Sequence, residues 1–217
     1  MASANPQPRR LVIAGAGGLG RETAALAIAI TEVAGFVDDD PALEGESVMG
    51  LSVLGPIAAA VAMGDCGLVV AVGYPDDRQA RRRIVKRLAL PPERYATLVH
   101  PMAAIGTEVE IGVGSTVFAG AVFTQGIRVG RHTVIMPNVV LTHDDVVGDF
   151  VTFGAGAKLA GGVAIGDCAY VGAGAVLREG TSVGAGAMVG IGSVLLEDVP
   201  AGETWAGVPA RPLRPLR

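Results

Sequence analysis

A six-residue spacing governs the C-terminal half of the chain and leaves it few folds to adopt. Every sixth residue from Val99 to Leu195, seventeen positions in all, is large and apolar. Glycine follows nine of them, between Gly106 and Gly190, and the position four after each is nearly always small or β-branched, as at Ser115, Ala121, Thr133 and Ala157. An α-helix repeats every 3.6 residues and a strand every two, so neither alone explains a period of six. One short strand plus one turn does explain it. The large residue, and the small one two places before the next large one, then both point inward by strand alternation. Three such sides close a triangular coil of eighteen residues, and roughly five and a half coils stack about 4.8 Å apart.

Up to about residue 95 a different rule holds. The segments "RRLVIAG", "AGFVDDD" and "CGLVVAVG" are expected strands, with "LSVLG" a short third strand or edge. Between and after them, Arg21 to about Ile30, "GPIAAAVAM" and "DDRQARRRIVKRLAL" carry helical patterns. Strands alternating with helices imply βαβ units and a parallel sheet. The expected organisation is a small α/β half-Rossmann-like domain over 1–98, a parallel β-helix over 99–200 and a tail over 201–217. Within "VIAGAGGLGRE", Gly15, Gly17 and Gly20 have the G-x-G-x-x-G spacing of a strand, tight turn and helix whose N-terminal amides favour a phosphate. Asp38 follows eighteen residues after Gly20, at the end of the second strand. A full dinucleotide fold needs two such halves, and only one is present, with no hydride-transfer site after it.

Several function classes are set aside by composition. Half of the 217 residues are hydrophobic, but alanine, valine and 32 glycines make up the excess. No apolar run reaches the roughly eighteen residues of a membrane span. "MASANPQPRR" has proline and charge where an export signal needs an apolar core. Cys66 and Cys168, about a hundred residues apart without metal or redox spacing, suit a reducing cytoplasm. A net charge of −4 and nine aromatic residues provide neither phosphate neutralisation nor stacking platforms for nucleic acid.

The densest polar break in the repeats is "LTHDDVVGDF", from Leu141 to Phe150. His143 stands at a turn, where it can face a neighbouring subunit, and Asp144 beside it can fix the imidazole tautomer and stabilise its charged form. A general base needs both features; an exposed histidine on a polar turn is the plainer alternative. Gly161 lies one eighteen-residue coil after His143, so its amide is placed to meet a developing oxyanion. Asp145 is the one carboxylate in an inward slot. A buried carboxylate must be hydrogen-bonded or neutral, so Asp145 either supports the His143 turn from behind or marks a distorted coil.

The [LIV]-G-x-x-[small]-x pattern resembles the hexapeptide-repeat family, whose members form a left-handed parallel β-helix, an exception to the right-handed crossover rule. That resemblance implies a homotrimer and acyl transfer from a coenzyme A thioester between neighbouring helices. The glycine loop, the "VDDD" strand end, the His-Asp pair followed by "GDF" and the terminal "WAGVPAR" make a closer likeness. Together they resemble the sugar O- and N-acetyltransferases of bacterial glycan synthesis, of the sialic acid O-acetyltransferase type or the UDP- or GDP-linked 4-amino-sugar N-acetyltransferase type.

The likeness implies that His143 is the base, supported by Asp144, and that the Gly161 amide polarises the thioester carbonyl. It implies acetyl-CoA as co-substrate, no metal, direct attack by a sugar amine or hydroxyl, and pantetheine running past Ala173 and Gly190. Arg211 is then placed to pair with a coenzyme A phosphate. In the α/β domain Gly15, Gly17 and Gly18 would approach phosphate or ribose, and Asp38 and Asp39 would take ribose hydroxyls or a base edge. Two positions depart from the relatives. Leu19 stands where G-x-x-G-H-G has histidine, and Thr152 stands where some relatives carry a second histidine that contacts the thioester.

Leu19 leaves the acceptor open between a nucleotide-linked sugar and a free sugar, sialic acid or antibiotic precursor. A non-catalytic trimeric scaffold is a further alternative. The β-helical carbonic anhydrases hold zinc on three histidines, but the spacing of His100, His132 and His143 does not make such a site.

Overall fold

The computed structural model describes residues 10–213. Nearly all of the N-terminal stretch considered for an export signal, and the last four residues of the tail, lie outside them. Strands β1 (Arg10–Ala14), β2 (Glu32–Val37) and a later one, Gly67–Val70, form a parallel sheet with β1 in the middle. Leu11 to Ala14 are buried on both faces, as an unbroken apolar run requires. Helix α1 (Gly18–Ile28) follows the glycine loop and packs Ala24, Leu26 and Ala27 onto this sheet.

The expected edge "LSVLG" forms half of a hairpin, β3 (Ser47–Val48) with β4 (Leu51–Ser52), and the Gly67–Val70 strand is therefore β5. In "GPIAAAVAM" only a 3₁₀ segment, Ile57–Val61, appears in place of the expected helix. Just Ile57 and Ala60 of it are buried, too little packing to carry a longer helix. Helix α2 (Ala80–Leu88) begins later than "DDRQA" implied, because Tyr74 and Asp77 first close a tight turn.

From Leu98 onward the chain winds through three parallel sheets. The register between successive strands is eighteen residues on every side, as in Val122↔Val140, Arg128↔Val146 and Val134↔Thr152. This is the triangular coil that the period of six demands, and the fold is a left-handed parallel β-helix. Every large residue of the repeat from Val117 to Leu195 is buried, with Ser115, Ala121 and Thr133 filling the inward small slots. Ile105 departs from the pattern at 41% exposed, because it belongs to the first coil and no earlier coil covers it.

From Glu108 to Gly192 the third residue of each turn takes a left-handed conformation. Glycine fills most of these positions, but His132 (φ 54), Phe150 (φ 62) and Cys168 (φ 57) also adopt it, one coil apart on a single corner. For such residues the conformation costs about 1–2 kcal/mol each. The α/β unit docks against that corner. Arg81 of α2 is buried there and donates from Nε to the His132 carbonyl at 2.7 Å, from Nη1 to Val72 at 2.9 Å and from Nη2 to Phe150 and Val151 at 2.9 and 3.0 Å. Carbonyl dipoles thus surround its charge, and burial lowers its pKa to about 10.

Arg78 Nε adds a bond to the Gly186 carbonyl at 2.9 Å, and the Cys168 thiol donates to Gln79 at 3.4 Å. Leu98, Phe118 and Val134 of the coils share an apolar cluster with Leu11, Ala24 and Phe36. No helix among the described residues is long and apolar enough to cross a membrane.

Candidate active site

His143 sits on the turn after Val140–Leu141, anchored by the buried Leu141. Asp144 takes the left-handed position, φ 63, and its carboxylate lies beside the ring, with Nδ1 to Oδ2 at 3.0 Å. Both side chains are open to solvent, at 65% and 78% exposed. The carboxylate at Nδ1 favours the tautomer with the proton there, which leaves the Nε2 lone pair free. Nε2 faces Gly161, where a Cβ would come within 2.5 Å of it. The Gly162 N–H donates to the His143 carbonyl at 2.8 Å, so the two turns are stacked directly. Gly161's own N–H donates to no group among the described residues.

Asp145 is fully buried, with Oδ2 accepting the Thr142 N–H at 2.8 Å and Oδ1 the Val163 N–H at 2.9 Å. Of the two expectations for this residue, support of the turn is what is seen. Burial pushes its carboxyl above the usual range, although both amides favour the ionised form.

The glycine loop makes a second feature. Gly15, Gly17, Gly18, Leu19, Asp38 and Asp39 all line one pocket of about 210 Å³, which also includes Gly73 and Tyr74. A Cβ on Gly20 would overlap the Gly15 carbonyl, so the third glycine lets helix and strand close up. Gly17 and Gly18 face open space, and α1 starts there, which aims free amides at the pocket.

Asp38 and Asp39 line the pocket but are already engaged. Asp38 accepts the N–H of Ala16 at 2.7 Å and of Asp40 at 2.9 Å; Asp39 accepts the Ile57 N–H at 3.0 Å and pairs with Arg87 at 2.6 Å. Each carboxylate keeps lone pairs for a further donor. The two departures from the relatives meet across Gly73. A Cβ on that glycine would lie 3.4 Å from Leu19 Cδ2 and 3.8 Å from Thr152 Oγ1. Thr152 itself accepts from Arg81 Nη2 at 2.9 Å.

Ala173 and Gly190 lie on consecutive coils of another corner, and Arg211 pairs with Glu197 at 3.0 Å, both exposed. The expected site residues are therefore only partly brought together within one chain. His143 and Gly161 occupy the corner between the Val140 and Val146 sheets, and Ala173 and Gly190 the corner before Val176 and Val194. The glycine-loop pocket lies near the third, by Thr152 and Phe150. Gly73, Tyr74 and Arg81 were missed by sequence. Gly73 closely follows the end of β5, and such strand ends are where open parallel sheets gather ligands.

His132 is remote from His143 in this arrangement. It is buried, stacked on Phe150 at 5.1 Å and met edge-on by Tyr95 at 4.7 Å. Among the described residues no group of three or more His, Cys, Asp or Glu side chains is placed to hold a metal.

The coils form the parallel β-helix of the hexapeptide-repeat class, with a histidine-carboxylate turn stacked over a glycine turn at one corner. Residues 10–88 match the family described as PglD N-terminal domain, and residues 146–179 match the bacterial transferase hexapeptide (six repeats) family. The acetyltransferase domain of PglB from Neisseria gonorrhoeae is 34% identical with a TM-score of 0.83, over 94% of this chain and 100% of that one. It has also been solved in complex with acetyl coenzyme A. PerB from Caulobacter crescentus, in complex with CoA and GDP-perosamine, is 29% identical with a TM-score of 0.83, over 94% and 97% of the two chains. WeeI from Acinetobacter baumannii is 30% identical with a TM-score of 0.82, over 94% and 100%. No curated protein sequence matched the chain. This chain belongs to the hexapeptide-repeat sugar acetyltransferases.

Proposed function

We propose that the protein transfers the acetyl group of acetyl-CoA to an amine or hydroxyl of a nucleotide-linked sugar, with His143 as general base. The observation that carries this reading is the stack of His143 Nε2 over Gly161, with Asp144 at Nδ1. Nε2 takes the proton of the attacking group as its nitrogen or oxygen bonds to the thioester carbon. The free Gly161 N–H donates to the carbonyl oxygen as negative charge gathers there. Asp144 stabilises the imidazolium. The carbon–sulfur bond then breaks, and the proton passes from His143 to the departing thiolate.

The acceptor end of the proposal rests on the glycine-loop pocket, whose helix amides suit a phosphate. PerB, bound to GDP-perosamine, supports a nucleotide-linked amino sugar. In this reading residues 1–98 hold the acceptor, 99–200 perform the transfer, and Ala173, Gly190, Arg211 and the tail serve coenzyme A. The reading includes a homotrimer, in which a threefold axis would bring different corners of neighbouring chains together. On the outer face of one sheet Val122, Val140, Val176 and Val194 are partly exposed, with Lys158 between the two pairs.

Thiol release from acetyl-CoA, measured against UDP- and GDP-linked amino sugars and free sugars, tests the reading beside His143→Ala. Turnover is expected with a nucleotide-linked sugar, and a loss of about a thousandfold in the variant. A variant at full rate overturns the base. Turnover with free sugars alone overturns the nucleotide-linked acceptor.

A further inference from the structure

The turn beneath His143 departs from the commonest turn of the helix in two respects. In eight turns the N–H of the inward residue donates to the carbonyl three residues earlier, as from Ala157 to Gly154 at 3.3 Å and from Ala175 to Gly172 at 3.1 Å, while the Thr133 N–H goes to the Ser115 hydroxyl of the coil before at 3.0 Å. The matching N–H in turn 160–163 belongs to Val163, and it goes instead to Asp145 of the coil before. The same turn has two successive left-handed glycines, Gly161 (φ 80) and Gly162 (φ 62), where the other coil turns have one such residue. Asp145's second oxygen holds the Thr142 N–H, immediately before His143. A single buried carboxylate thus spans from the residue before His143 to the residue two after Gly161. Asp145 has no solvent-accessible surface and reaches no substrate; what it can do is set geometry.

We propose that Asp145 is a positioning residue for acyl transfer: by bridging the Thr142 and Val163 amides it imposes the unusual turn at Gly161 and so fixes the approach of that amide to His143 Nε2. The inference rests on the assignment of His143 and Gly161 made above.

Alanine fills the same inward slot at positions 121, 157, 169, 175 and 187, so Asp145→Ala restores the ordinary repeat and is compatible with folding. The Val163 N–H is then free to return to the Ala160 carbonyl, as in the eight turns that make this bond, and Gly161 shifts. Asp145→Asn keeps the side-chain shape and one accepting oxygen.

The experiment measures kcat, KM and melting temperature for both variants beside wild type and His143→Ala. Folded Asp145→Ala is expected to lose about tenfold to a hundredfold in kcat, the size of effect that a misplacement near 1 Å produces. Its KM for acetyl-CoA is expected to stay within about twofold, as for an interaction felt mainly in the transition state. Asp145→Asn should recover part of the rate. If one variant does not fold, the other decides. A folded variant with wild-type kcat, beside an inactive His143→Ala, overturns this inference alone; an active His143→Ala overturns the base assignment beneath it.

Discussion

At Gly161 a single methyl group is enough to test the site. A Cβ there would sit 2.5 Å from His143 Nε2, and the backbone φ of 80 disfavours any other residue. Gly161→Ala should therefore displace the imidazole and lose about a hundredfold in kcat, with a stability cost of about 1–2 kcal/mol from the left-handed backbone. Steady-state kinetics and thermal melting check both; an alanine variant at wild-type rate would show that the stack has no catalytic part. The pairing of His143 with Gly161 was legible because the eighteen-residue step places one above the other. What Asp145 holds was not legible. Its slot was evident, but its partners depend on how two turns bend, and repeats do not encode that. Asp38 and Asp39 teach the same lesson: both reach the expected pocket, yet their oxygens brace Ala16, Asp40, Ile57 and Arg87.

Among the elements, α2 and the corner it docks against differ most from expectation. Its sequence carries a helical pattern that gives Arg81 no special place, but Arg81 turns inward and satisfies four carbonyls. The corner residue His132 has its pKa lowered from 6.5 to about 4, first by burial and then by Arg81 and Arg131. As pH falls through this window the unfolded chain takes a proton that the folded chain refuses. The stability is thus fully present above pH 6.5 and is lost toward pH 4, a change of about 3 kcal/mol. Asp145, whose carboxyl burial pushes above its ordinary range, works in the opposite direction. His132→Asn accepts the left-handed backbone and carries no such proton, so its melting temperature should fall less steeply between pH 7 and pH 4.5. Equal slopes for variant and wild type would rule out His132 as the source.

At the scale of the whole molecule, the expected site falls on three corners of a three-sided prism. If neighbouring chains complete it, two variants inactive for different reasons should complement each other. Gly17→Trp projects into the open pocket, whereas His143→Ala removes the base at another corner. Refolded together, a site that draws base and pocket from different chains should be restored in about a quarter of cases by random assortment within a closed ring. Activity no higher than in either variant alone would mean that base and pocket belong to the same chain. The sequence by itself determined the triangular coil, the α/β unit before it and the stack of His143 on Gly161. Each of these follows from a period in burial that the chain carries along its own length. Only the tertiary structure decided which corner receives α2, why Arg81 is buried and what Asp145 holds, because those contacts join residues far apart whose pairing no local period records.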